Sequence, residues 1–241
     1  MKNLSLKVRL LFFTLLLTIL PGFVCAHHLW VDASSEGFLV KRGILPDDVH
    51  DYDPSFVTDI RMIDRNAREL SFQKIDGPKG VMLKTEEKPE LVIVTCKWGN
   101  RVNTPEGKKF MSRKEALDKG IQVESSFTST QFSKTYFPPY NTWTKAMGLP
   151  LEILPLEEFQ YHQDNNLLPV KILFQDTPLS ESMVRLRPGD VNIKTNEQGI
   201  AQIPLSEKGP YTIIAFHTVP EDDNPEIDYR QFMSFIKFDL P

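Results

Sequence analysis

The stretch Tyr211-Thr212-Ile213-Ile214-Ala215-Phe216-His217 sets the texture of the whole chain. Seven residues of β-branched and aromatic character, bounded by Gly209-Pro210 and Pro220, form a strand by composition and length. Side chains alternate along a strand, so His217 shares a face with Tyr211, Ile213 and Ala215. Working outward, Val170–Phe174, Val184–Arg187, Val191–Thr195, Ala201–Pro204 and Tyr229–Leu240 repeat the pattern, with Asn196-Glu197-Gln198-Gly199 as a tight turn. Six or seven strands at this spacing predict a small β-sandwich in the C-terminal part, from residue 151 to 241.

Upstream, Leu29–Val31, Phe38–Lys41, Val57–Ile63, Leu70–Gln73, Val81–Thr85 and Leu91–Cys96 also read as strands. Ser112–Lys119 is the one helical segment expected, with Ser112 as N-cap, Glu115 at N3 and Gly120 closing it. Ile121–Tyr136 reads as a polar, extended Ser/Thr-rich stretch, and Pro138-Pro139 and Pro150 bracket an irregular connection. The expectation is an all-β protein of two sandwich-like units, 27–150 and 151–241, with one short helix.

The first 26 residues read as a signal peptide. Lys2, Lys7 and Arg9 precede an apolar run from Leu10 to Leu20, and Pro21-Gly22 leads to Val24-Cys25-Ala26. An apolar core this short, with Val24 at −3 and Ala26 at −1, predicts cleavage after Ala26 and export to the periplasm. Cleavage would remove three positive charges and no negative one, taking the formal charge from −4 to −7. Such a balance argues against nucleic acid and anionic membrane surfaces as partners. Cys96 would then be the sole cysteine, in an apolar strand, expected as a buried small hydrophobe.

Cleavage there places His27 at the new amino terminus. A terminal histidine offers its α-amine and its imidazole to one ion, a chelate that no mid-chain histidine can form. His28 adds a second imidazole. Such donors suit nickel, cobalt, zinc and copper. Trp30 is expected to bury its ring and pin the terminus. Further candidate ligands are His217, at the exit of its strand, and His50, in the acidic loop Asp47-Asp48-Val49-His50-Asp51-Tyr52-Asp53. His162 reads as surface. The run Glu221–Asp228 carries five carboxylates but lacks the spacing and internal glycine of a calcium loop. Serine-hydrolase, phosphate-loop and H-E-x-x-H patterns are absent.

Ala26-His27-His28-Leu29-Trp30, Asn103-Thr104-Pro105-Glu106-Gly107, Ser133-Lys134-Thr135, Gly148–Leu156, Leu168–Phe174, Thr195–Gly199 and Gly209-Pro210-Tyr211 occur in this order. In this the chain resembles a family of exported bacterial proteins of unassigned function, associated with nickel or cobalt uptake beside membrane transport systems. The resemblance implies a prealbumin-like or fibronectin-like C-terminal sandwich, His27 as terminal ligand with His217 as a further one, and a membrane metal transporter as partner. Two other functions fit the residues: a copper oxidase or monooxygenase built on a terminal histidine brace, and a metal-free module binding protein or glycan.

Overall fold

The computed structural model describes residues 27–45, 48–157, 167–205 and 208–240. The leader and His162 lie outside them. The chain is all-β, as expected. The N-terminal region forms a five-stranded sheet from β1 (His28–Ser34), β2 (Gly37–Ile44), β3 (Asp48–His50), β5 (Gln73–Gly77) and β6 (Gly80–Lys84). An eight-stranded sheet combines β4 (Val57–Ile63), β7 (Leu91–Thr104), β8 (Gly107–Lys109), β9 (Ser125–Tyr136), β13 (Met183–Arg187), β14 (Val191–Lys194), β16 (Gly209–Pro220) and β17 (Tyr229–Leu240). A four-stranded sheet holds β10 (Leu151–Pro155), β11 (Leu167–Phe174), β12 (Thr177–Pro178) and β15 (Ile200–Pro204).

The eight-stranded sheet is the middle layer, and period-two alternation supplies both of its faces. On β7, Val92, Val94 and Cys96 join Leu29, Val31, Val40, Val81 and Leu83 in one core, beneath the five-stranded sheet. Leu91 and Ile93 face the other way, into a second core with Ile153, Val170, Ile172 and Ile203 of the four-stranded sheet. Strand β17 does the same, sending Met233 and Phe235 to the first core and Ile236 and Phe238 to the second. Two sandwiches thus share one sheet. They are joined by parallel pairing of β17 with β9, from Tyr229↔Phe127 to Lys237↔Thr135, so the central sheet runs across residue 150.

The helix α1 (Arg113–Asp118) is capped as its sequence requires, with Ser112 Oγ accepting from Glu115 N at 3.0 Å. The turn at 196–199 forms too, Asn196 Oδ1 accepting from Gln198 N and Ile200 N, and carries the chain from one sheet to another. The polar stretch before Tyr136 has a more central place than its composition suggests. Ser133 and Thr135 of β9 are fully buried, and their hydroxyls close the free edge of β1. Ser133 Oγ donates to Leu29 O at 2.8 Å, and Val31 N donates to Thr135 Oγ1 at 2.9 Å. Those two bonds seat the first strand on the middle sheet and so fix the position of His27.

Candidate metal centre

The N-terminal hairpins bring the candidate ligands together. Strand β1 pairs with β2 in the register His28↔Gly43, and β3 pairs with the same end of β2 through Arg42↔His50, Gly43↔Val49 and Ile44↔Asp48. His27, one residue before the β1 ladder, therefore meets His50 across β2. Their rings lie edge to face, centroids 4.5 Å apart. Asp48 completes the group, with its Oδ1 2.9 Å from His50 Nε2. One ligand atom from each of His27, Asp48 and His50 falls within 4.8 Å of the others.

Gly43 makes this approach possible. A Cβ at Gly43 would stand 1.8 Å from the Asp48 carbonyl oxygen, well inside any contact distance. With hydrogen at that position, β3 lies close against β2 and its two candidate ligands reach His27.

Two imidazoles and a carboxylate are the donors that zinc, nickel, cobalt or copper accept, and three protein ligands leave positions open for exchange. Metal–donor bonds of about 2.0–2.2 Å require donors somewhat nearer one another than the cluster's full spread. Asp48 and His50 are exposed and free to close by side-chain rotation, while His27 is half-buried. Burial, followed by the Arg42 charge, pushes the His27 imidazole below its usual range, which favours the neutral ring a metal needs. Arg42 also occupies part of the ligand field, since its Nη2 donates to His27 Nδ1 at 3.1 Å.

The other two predicted histidines lie elsewhere. His28 is turned inward, its ring 5.5 Å from that of Phe235, with Nδ1 buried and unpartnered. Burial first, then Arg187 and Arg185, bring its pKa down to about 3 and keep it neutral. His217 packs its ring 4.3 Å from Phe174, which borders the second core. His27 instead opens onto a cleft lined by Met233, a member of the first core. The alternation that placed His217 with Tyr211 and Ile213 thus turns it to the opposite side of the middle sheet from His27.

The acidic run after His217 is tied down by structure. Asp228 Oδ2 accepts from Ser126 N at 2.7 Å and pairs with Arg113, and Glu221 pairs with Arg230. Cys96 is buried, as expected, and burial pushes its thiol up to about 12.

Beside His27 the chain builds a feature that no local sequence pattern marks. A cleft of about 220 Å³ runs from His27 and Arg42 past Trp98 to Arg101, Lys108 and Phe110. Apart from His27, just before β1, these residues come from β2, β7 and β8 and the segment after it, so only strand pairing unites them. Asp48 belonged to an acidic loop with nothing to set it above its neighbours; the Ile44↔Asp48 pairing distinguishes it.

No curated protein and no solved structure matches the chain. The family described as Domain of unknown function (DUF4198) matches residues 24–219, most of the chain and all three candidate ligands, and the protein belongs to that family.

Proposed function

We propose that the protein is a periplasmic carrier that captures a divalent transition metal, nickel or cobalt, and hands it to a membrane transporter. His27 supplies its ring and, after removal of the leader, its α-amine. Asp48 and His50 complete the protein ligands. The role is binding and release, without turnover. The observation that carries this reading is the meeting of His27 with Asp48 and His50, more than twenty residues further along the sequence, within 4.8 Å at a solvent-facing rim. An open, partly exposed three-ligand site suits reversible transfer better than a closed tetrahedral one. The choice of nickel or cobalt rests on the resemblance of the leader junction and the ordered motifs.

Native mass spectrometry of protein exported by its own leader, offered nickel, cobalt and copper together, tests the reading. The expected species begins at His27 and holds one nickel or cobalt ion. That ion is lost on His50→Ala or on adding one residue before His27, and kept on His217→Ala. A correctly cut chain that binds none of the three metals would sink the carrier. Copper bound alone, with ascorbate-driven oxygen consumption, would favour a histidine-brace oxidase.

A further inference from the structure

The cleft beside His27 carries positive charge without compensation. Arg42, Arg101 and Lys108 line it, and no carboxylate among the described residues pairs with any of the three. Each lies instead over an aromatic ring. The Arg42 guanidinium carbon is 4.8 Å from the Trp98 centroid, that of Arg101 is 3.4 Å from Phe110, and Lys108 Nζ is 5.2 Å from Phe127. Rings hold cations in place but leave their charge and most of their N–H donors unmatched.

Arg101 is only 6% exposed, and it donates to two neighbouring carbonyls, Trp98 O at 2.6 Å and Asn100 O at 3.4 Å. Trp98, 3% exposed, has its indole N–H unpartnered, and Arg42 Nε is a second buried donor without an acceptor. Burial and the Arg42 charge lower Arg101 to about 10, and burial and Arg101 lower Lys108, the mark of like charges held together. Buried Arg101 and half-buried Arg42, with exposed Lys108 beside them and no carboxylate to match the three charges, call for an anion. The volume, below the roughly 300 Å³ at which drug-sized ligand pockets begin, calls for a small one.

We propose that this cleft binds a small polycarboxylate through Arg42, Arg101 and Lys108, and that the bound anion promotes metal capture at His27. The anion half stands on the cleft alone; the linkage rests on the metal reading above. The physical link is Arg42. Its guanidinium now holds His27 Nδ1, the ring nitrogen close enough to the main chain to share an ion with the α-amine of the same residue. A carboxylate is a stronger acceptor for a guanidinium than a neutral imidazole. It draws Arg42 into the cleft, releases Nδ1, and offsets the positive field that opposes a divalent cation.

Isothermal titration calorimetry of the exported protein with propane-1,2,3-tricarboxylate, a weak metal chelator, is the test. One anion per chain is expected, with affinity about tenfold lower in Arg101→Ala and in Lys108→Gln, and largely restored in Arg101→Lys. Saturating anion is expected to raise nickel affinity several-fold, and His50→Ala to lose nickel while keeping the anion. No heat from the anion, or binding indifferent to Arg101→Ala and Lys108→Gln together, overturns the proposal even if nickel binds. Anion binding in a protein that takes no metal overturns the linkage and the carrier reading while leaving the anion site.

Discussion

Arg42 Nη2 lies 3.1 Å from His27 Nδ1, so a guanidinium already holds the nitrogen that the proposed metal would need. Arg42→Ala should therefore bind nickel more tightly than the wild type in anion-free buffer. Loss of one hydrogen bond worth about 1 kcal/mol implies a gain of several-fold, read by calorimetry. Weaker nickel binding by Arg42→Ala would show that Arg42 orients His27 and does not obstruct it.

Gly43 offers no donor to the candidate site, yet its missing side chain is what lets β3 pack against β2. Gly43→Ala forces β3 away from β2, because the new methyl would meet the Asp48 carbonyl at 1.8 Å. Metal affinity is expected to fall at least tenfold while His27, Asp48 and His50 remain in the sequence. Unchanged affinity would mean that β3 does not supply the ligands. The thermal transition of the same variant reports how much of the loss is local.

On the other face of the middle sheet, Glu152 binds a fully buried ammonium. Its Oε1 accepts from Lys134 Nζ at 2.9 Å and Met147 N at 2.8 Å, and its Oε2 from Gly148 N and Leu149 N. Glu152→Ala leaves a buried charge and three amides unsatisfied, an expected loss of about 3–5 kcal/mol in chemical denaturation. The pair Lys134→Met with Glu152→Leu should cost less than Glu152→Ala alone. Nickel affinity should survive the double change, since the pair sits under the second core.

Alkaline stability carries the signature of Cys96. Its thiol is raised from 9.0 to about 12 by burial, so between those values the native state holds a proton that the unfolded chain has released. Stability then falls as pH rises, by up to about 1.4 kcal/mol per pH unit from this group. Denaturation midpoints from pH 8 to 11 should decline less steeply in Cys96→Ala than in the wild type. An identical decline would mean that the thiol is not protected in the native state. Below pH 9 the native thiol should resist alkylation.

A hydroxyl bridge explains a second constraint in the first sandwich. Tyr52 Oη donates to Val40 O at 2.9 Å and accepts from Val81 N at 3.2 Å, so one side chain joins β2 to β6. Tyr52→Phe is expected to lower stability by about 1–3 kcal/mol, because a buried amide loses its partner. Gly80→Ala should cost more, since its Cβ would sit 2.6 Å from the Tyr52 ring at φ +126°.

The strands, the capped helix at Arg113–Asp118, the turn at Asn196–Gly199 and the burial of Trp30 and Cys96 were legible because each follows from local pattern: period two, a capping side chain, a glycine at positive φ. His27 was singled out in the sequence by the expected cleavage site beside it. The extended character of the stretch before Tyr136 was legible, but the burial of Ser133 and Thr135 was not, because it depends on a strand a hundred residues away. The same limit governs the candidate ligand set. Beyond His27 the sequence offered three further candidate histidines, and nothing local separates His50 from His217 or raises Asp48 above Asp51. Pairing across β2 brought Asp48 and His50 to His27. Alternation in β16 sent His217 to the opposite face of the middle sheet, and the close packing of β1 turned His28 inward. Periodicity along one strand is a property of the chain itself, whereas which strands lie side by side is settled only when the apolar faces bury one another.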